Sequence, residues 1–272
     1  MKILVLNSSG NVGKSTITQL FANNLTNVQI IEVETQNKGN SEVEGLNVLK
    51  YKAGDDFMTI YEPLMFNENV IVDVGASNLG NFVDQLSEMA GITDVFDHFI
   101  IPTTSFDKVQ TDTYKTIRLL RSFEVPDSKI NVVFNLVEKS VENDFKELLN
   151  ADFDFNKNLY IPKSSIFKEL GFLRTTINDV YHPELDHYAR LMLSTTDREV
   201  KAGFLKKDII NKMIHKIKAQ LDYIFAAVTG LQPITHKDEI VTAEVSSKAE
   251  KSKGKKQEQE QEQGANEREE EF

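Results

Sequence analysis

With 272 residues and 40% hydrophobic side chains, the chain holds enough apolar material for one large α/β domain or two small ones. It has no cysteine, which excludes disulfides and thiolate metal sites and fits a reducing compartment. A net charge of −11 argues against a surface that is basic throughout, so broad nucleic-acid binding would need a local patch, and no apolar run approaches the ~20 residues of a membrane span.

The N-terminus goes from Lys2 straight into a strand, too soon for a signal h-region, and the expectation is a soluble protein of the cytoplasm. Leu4, Val5 and Leu6 make a buried-strand run, while Ile17, Leu20, Phe21 and Leu25 recur at helical spacing. Between them stands Ser8-Ser-Gly-Asn-Val-Gly-Lys-Ser-Thr16, a glycine-bearing turn that opens a helix. Gly10 and Gly13 let the backbone bend tightly, so that successive N–H groups and a helix N-terminus converge on phosphate oxygens. Lys14 would reach the β- and γ-phosphates, and the Ser15 hydroxyl would ligate Mg²⁺. Ser8 replaces the first glycine of G-x-x-x-x-G-K-[ST]; the strand-loop-helix setting is what the motif demands all the same.

Residues 28–33 read as a second strand, and the loop leaving its carboxyl end places Glu34 towards whatever the first loop binds. A short strand at 46–51 and a helix at 57–64 follow. Val70-Ile-Val-Asp-Val-Gly75 ends in Asp73, a carboxylate suited to the metal, with Gly75 beyond it to offer an N–H to the terminal phosphate. The alternation continues with a helix at 82–89, a strand at 98–102, a helix at 108–122, a strand at 130–135, a helix at 141–149 and a strand at 159–162. Such alternation implies βαβ crossovers, hence a mostly parallel sheet with helices on both faces.

From 174 to 197 the pattern gives no clear period, and His182-Pro183 breaks it. Residues 204–228 form a long amphipathic helix with Leu205, Ile209, Ile210, Met213, Ile214, Ile217, Leu221, Ile224 and Phe225 on its apolar stripe. Lys206, Lys207, Lys212, Lys216 and Lys218 occupy the remainder, as a solvated face or as a patch for DNA, lipid or an acidic partner. The expected division is a nucleotide-binding domain over 1–230 and a charged tail over 231–272. There the lysine cluster from Lys248 to Lys256 and the Gln/Glu tract bury too little apolar surface to offset ordering entropy, so a disordered tail is expected.

These residues resemble the ParA/MinD group of P-loop ATPases, and within it the StbB-like proteins of conjugative plasmids. The resemblance covers about 1–230. Ser9-Gly-Asn-Val-Gly-Lys-Ser15 is similar to the family's K-G-G-x-G-K-[ST], Glu32-Val-Glu-Thr-Gln36 to its D-x-D-P-Q, and Asp73-Val-Gly75 sits at its second switch. The resemblance implies ATP and Mg²⁺ as cofactors, held by Ser9, Gly10, Asn11, Val12, Gly13, Lys14, Ser15 and Thr16, with Gly75 at the terminal phosphate. It implies Asn135 and Pro162 at the adenine, Ser15 and Asp73 at the metal, and Lys14, Glu34 and Asp73 as the catalytic set, Glu34 orienting the attacking water. It also implies a homodimer formed around nucleotide, and a plasmid-encoded partner protein that reads a cycle used in plasmid stability, positioning or conjugative transfer.

Two departures bear on rate. Ser9 stands where the family has its signature lysine, and charges that stabilise a transferring phosphoryl group are worth ~10³ or more. Glu34 is one methylene longer than the family's Asp, and misplacing a water by about an ångström can cost ~10². A slow Mg²⁺-dependent ATPase is therefore expected. Alternatives are a nucleotide-gated adaptor with little hydrolysis, and an ATP-dependent ligase or kinase using His182, His187 and Arg190. Guanine is disfavoured, because Asn135-Leu-Val-Glu138 lacks the lysine of N-K-x-D.

Overall fold

The computed structural model describes residues 1–33, 43, 45–51, 58–89 and 91–234. The expectations placed on Glu34, on residue 57 and on the tail beyond 234 lie outside them. Residues Met1–Ile234 form one compact unit.

Among the described residues, seven strands run parallel in one sheet: β1 (Lys2–Val5), β2 (Val28–Val33), β3 (Val48–Tyr51), β4 (Asn69–Val74), β5 (His98–Thr103), β6 (Ile130–Val137) and β7 (Tyr160–Pro162). Their order across the sheet is β3-β2-β4-β1-β5-β6-β7. From β1 the chain runs to β2 and β3 on one side, returns to insert β4 beside β1, and then crosses to β5, β6 and β7 on the other. The order therefore reverses at β1, and the crevice at the carboxyl end of such a strand is where parallel sheets bind ligands.

The strands are apolar on both faces because both faces are covered. Leu4 and Leu6 of the first strand region point into one core with Val72, Val74, Ile101 and Phe134. That side is closed by α2 (Met58–Phe66), α3 (Leu79–Ser87), α4 (Asp107–Ser122), α5 (Val141–Asp144) and α6 (Lys146–Leu149), which contribute Ile60, Phe82, Ile117, Val141 and Leu148. Ile3 and Val5 point the other way, into a second core with Ile30, Ile71 and Ile100. Here the cover is α1 (Lys14–Ala22), α7 (Ile166–Leu173), α8 (Ile177–Val180), α9 (His187–Leu193) and α10 (Arg198–Thr229), with Ile17, Ile166, Ile177, Tyr188 and Ile214.

Four expectations are corrected. The single helix over 141–149 is two short ones, because Phe145 leaves the helical region at φ −125°, ψ 36° and drives its ring into the core instead. The unreadable stretch 174–197 contains α8, set by a capping box between Thr176 and Asp179, and α9. The long helix begins at Arg198, capped by Asp197, rather than at 204. Its stripe and its basic face are also narrower than the sequence suggests: Leu205 and Ile209 are half exposed, while Lys218 is buried and paired with Asp222 and Lys212 is paired with Asp208.

Candidate functional site

The site is built from the bend that joins β1 to α1. Asn7, fully buried, ends the strand and fixes the start of the bend with three hydrogen bonds. Its Nδ2 donates to the Pro102 carbonyl at 2.8 Å and to Thr113 Oγ1 at 2.9 Å, and its Oδ1 accepts the Ser9 amide at 2.8 Å. The bend is thereby tied to the end of β5 and to α4 before it turns. Asn11 takes φ 57°, a left-handed conformation that asparagine tolerates better than most residues. Gly13, at φ 97°, caps α1.

Gly13 is required by space as well as by conformation. A Cβ on it would stand 2.2 Å from Asn135 Nδ2. Asn135 reaches over from the carboxyl end of β6, donates from Nδ2 to the Val12 carbonyl at 2.9 Å, and accepts its own neighbour's amide, from Leu136, at 2.9 Å on Oδ1. Leu136 sits at φ 59°, where the β6–β7 register shifts between Phe134 and Val137. The irregularity aims the asparagine sideways at the loop.

Lys14 opens α1 and lies back over the bend, its Nζ donating to the Ser9 carbonyl at 2.9 Å and lying 3.4 Å from that of Asn7. The ammonium is thus placed on the concave side of a loop whose next residues, Ser15 and Thr16, are the first turn of a helix, where amides have no intrahelical carbonyl to meet. Register places the carboxylates. Asp73 pairs with Val5 on one side and with Glu32 on the other, and strand alternation puts all three on the face that α1 covers. Asp73 and Glu32 are both buried on adjacent strands.

No protein-family model matches the chain, and no curated protein matches it. Among solved structures it is similar to a ParA family ATPase from Chlorobium tepidum TLS, at 14% identity over 82% of this chain and 96% of that one, with a TM-score of 0.46. It is also similar to the MinC:MinD cell division protein complex of Aquifex aeolicus, at 14% identity, 76% and 93% coverage and a TM-score of 0.45. A third is the septum site-determining protein MinD of Pyrococcus horikoshii OT3 complexed with Mg-ADP, at 15% identity, 80% and 98% coverage and a TM-score of 0.41.

The remaining positions fall as follows. Ser9 is buried and donates its hydroxyl to Asp112 Oδ2 on α4 at 2.8 Å. That bond, helped by Lys115, holds the Asp112 carboxyl below the usual carboxylate range against the opposing effect of burial. Ser8 is tied to the same helix, its Oγ donating to the Asp112 carbonyl at 3.3 Å and its amide to Thr116 Oγ1 at 3.4 Å. Gly75 donates its amide to the Val33 carbonyl at 2.9 Å, extending the β2–β4 ladder, so offering that N–H to a phosphate requires breaking this bond. Gly10 has nothing within 4 Å of where a Cβ would stand, so space alone does not demand glycine there. Pro162 ends β7, opposite Val137 and one strand beyond Asn135.

A cleft of about 110 Å³ lies beside Ser15 and Thr16, closed by Phe167, Leu170 and Ile177 from α7 and α8. A larger one, about 240 Å³, lies across the sheet between β2, β3 and α3, and among the described residues its ionisable side chains are Tyr51 and Asp84. His182, His187 and Arg190 are gathered by the turn between α8 and α9. Arg190 is engaged there by Glu184 and Asp186, which argues against a convergent substrate pocket. Sequence reasoning missed Asn7 and Asp112, and quoted Glu32 within a motif without giving it a role. Asn7 carried a signal, a polar residue closing an apolar run just before the glycines; nothing local announced Asp112, which arrives from about a hundred residues away.

Proposed function

We propose that the chain is a ParA/MinD-type nucleotide switch that binds ATP with Mg²⁺ in the bend after β1, hydrolyses it slowly in the cytoplasm and pairs with a second copy of itself around the nucleotide. The observation that supports this most is the bend itself. A left-handed Gly13 pressed against Asn135, a lysine folded over the loop carbonyls, and a helix start all meet at the carboxyl end of the central strand.

The donor set fits the ligand. Lys14 and the first-turn amides of α1 would hold phosphate oxygens, and the Ser15 hydroxyl with the buried Asp73 carboxylate offers the hard oxygens that Mg²⁺ takes, directly or through water. Bound Mg²⁺ neutralises charge on the terminal phosphates. Glu34 is assigned the attacking water by resemblance alone. Adenine is favoured over guanine because Leu136 brings no cation to the end of β6. The biological setting, also from resemblance, is plasmid stability, positioning or conjugative transfer through a plasmid-encoded partner protein.

Isothermal titration with ATP, ADP and GTP in Mg²⁺, run beside light scattering, tests the reading. One ATP per chain is expected, GTP weaker by tenfold or more, and a doubled mass only with ATP. Lys14→Ala should lose ATP affinity with its melting temperature close to that of the parent. No affinity for any magnesium nucleotide overturns the assignment.

A second reading, an adaptor that binds ATP and hydrolyses little, is favoured by one contact: position 9 carries a hydroxyl tied to Asp112 rather than a mobile cation. Single-turnover hydrolysis much slower than nucleotide release selects the adaptor; turnover at or above the release rate selects the ATPase.

A further inference from the structure

Away from the bend, the turn between α8 and α9 brings together three side chains of metal-ligand type. The ligand atoms of His182, Glu184 and His187 all lie within 4.8 Å of one another. The two imidazoles are stacked, 3.6 Å between ring centres and 11° from parallel. Two nitrogens on one tetrahedral ion of the zinc class, at about 2.0–2.1 Å each, stand roughly 3.4 Å apart, inside the 4.8 Å span of these ligand atoms; because an ion lies in the plane of each imidazole it binds, one ring turns out of the stack to join it. We propose that His182, Glu184 and His187 form a binding site for a divalent transition-metal ion, with zinc the preferred occupant and water completing the tetrahedron.

The backbone around the cluster is held before any ion arrives. The His182 amide donates to Oδ1 of the fully buried Asn211 at 2.9 Å, and His215 Nε2 donates to the His182 carbonyl, also at 2.9 Å. Both partners stand on α10, so the polar backbone groups of His182 are pinned to the longest helix, and Pro183 stiffens the next step. His187 is the first residue of α9, which fixes its backbone from the other side and leaves the ring free to turn about its side-chain torsions.

Tautomer and charge are compatible with ligation. The Glu184 amide donates to His182 Nδ1 at 3.1 Å, so the lone pair of that ring lies on Nδ1; an ion bound there exchanges one long hydrogen bond for coordination and keeps the tautomer. Arg190 holds Glu184 through Oε2 and Asp186 through Oδ2, which orients the Glu184 carboxylate and leaves Oε1 as the third ligand atom. Imidazole nitrogens with one carboxylate make a borderline set that suits zinc, cobalt or nickel and does not suit magnesium.

The test uses the full chain, stripped with chelator and kept free of nucleotide, titrated calorimetrically with Zn²⁺ alone and by visible absorption with Co²⁺. One ion per chain is expected, with the absorption of tetrahedral cobalt. His187→Ala and, separately, Glu184→Gln should weaken Zn²⁺ binding by tenfold or more, and His98→Gln should leave it unchanged. Zn²⁺ should raise the melting temperature of the parent and not of His187→Ala; if His187→Ala does not fold, His187→Gln takes its place. Zn²⁺ affinity equal in the parent and the His187 variant, or no binding, overturns the proposal.

Discussion

At the scale of single residues, the bend depends on one pair whose members lie far apart in the chain. Gly13 has a backbone that an L side chain rarely adopts, and Asn135 fills the space where its Cβ would be. Gly13→Ala therefore meets two separate penalties. Left-handed strain costs about 1–3 kcal/mol, and the steric conflict with Asn135 Nδ2 adds to it unless the asparagine withdraws from the Val12 carbonyl. Urea denaturation of Gly13→Ala should show a loss of at least about 1–3 kcal/mol, and ATP binding should fall below detection. Asn135→Gly combined with Gly13→Ala restores space without restoring conformation. The double variant should then be more stable than the sum of the two single losses predicts, the signature of two residues in contact. Strict additivity would show that the close approach does not govern the loop.

At the scale of elements, α10 is anchored unevenly. From Asp208 onward it buries a residue on nearly every turn, whereas residues 198–203 and 205–207 are all exposed. Its first turn is capped by Asp197 Oδ1, which accepts the amides of Glu199 at 2.8 Å and Val200 at 3.1 Å, and Phe204 is the first of its residues to pack on the core. Removing a cap of this kind costs about 1 kcal/mol. With so little of this end buried, the cost should be local: Asp197→Ala should speed amide exchange over 198–207 by roughly fivefold and leave the global melting temperature unchanged. A fall of several degrees would mean that the end is coupled to the core.

The same unevenness explains what the sequence could disclose. Where burial dictates the pattern it was legible: the run Leu4-Val5-Leu6, the spacing of Ile17, Leu20 and Phe21, and the alternation that implied a parallel sheet. Where an element is exposed or held by a local cap, no apolar period marks it, so α10 was begun six residues late and α8 and α9 went unread. In the candidate site, the places of Gly13, Lys14 and Asp73 in the fold were legible because each is local to a strand end or a helix start. The buttressing by Asn7, Asn135 and Asp112 was not, since it depends on which strand ends and helices become neighbours, and that is decided by the sheet order.

At the scale of the whole molecule, β5 contributes a histidine to the edge of the apolar interior. His98 opens the strand half-buried, and its buried Nδ1 has no hydrogen-bond partner among the described residues. Burial pushes its pKa below the ordinary 6.5; Asp97 opposes this, and Lys129 and the N-terminal ammonium add to it. In the folded protein the ring stays neutral at a pH where the unfolded chain already takes a proton. The contribution of His98 is therefore complete above about pH 6.5 and declines as pH falls from there towards the lowered folded-state value, by at most one proton's worth of slope; the N-terminal ammonium, itself lowered from 8.0 chiefly by burial, acts in the same direction from a higher pH. The carboxylates whose pKa values are also depressed, Asp112 and Asp127 among them, lose their contribution only further down, below their ordinary value of 3.8. The two windows are separate. Urea denaturation at pH 7.5 and 5.5 should show the parent weaker at the lower pH, and His98→Gln, which cannot titrate, should show a smaller difference between the two. If the variant keeps the full difference, the acid-side loss belongs to other groups and the buried Nδ1 is not its source.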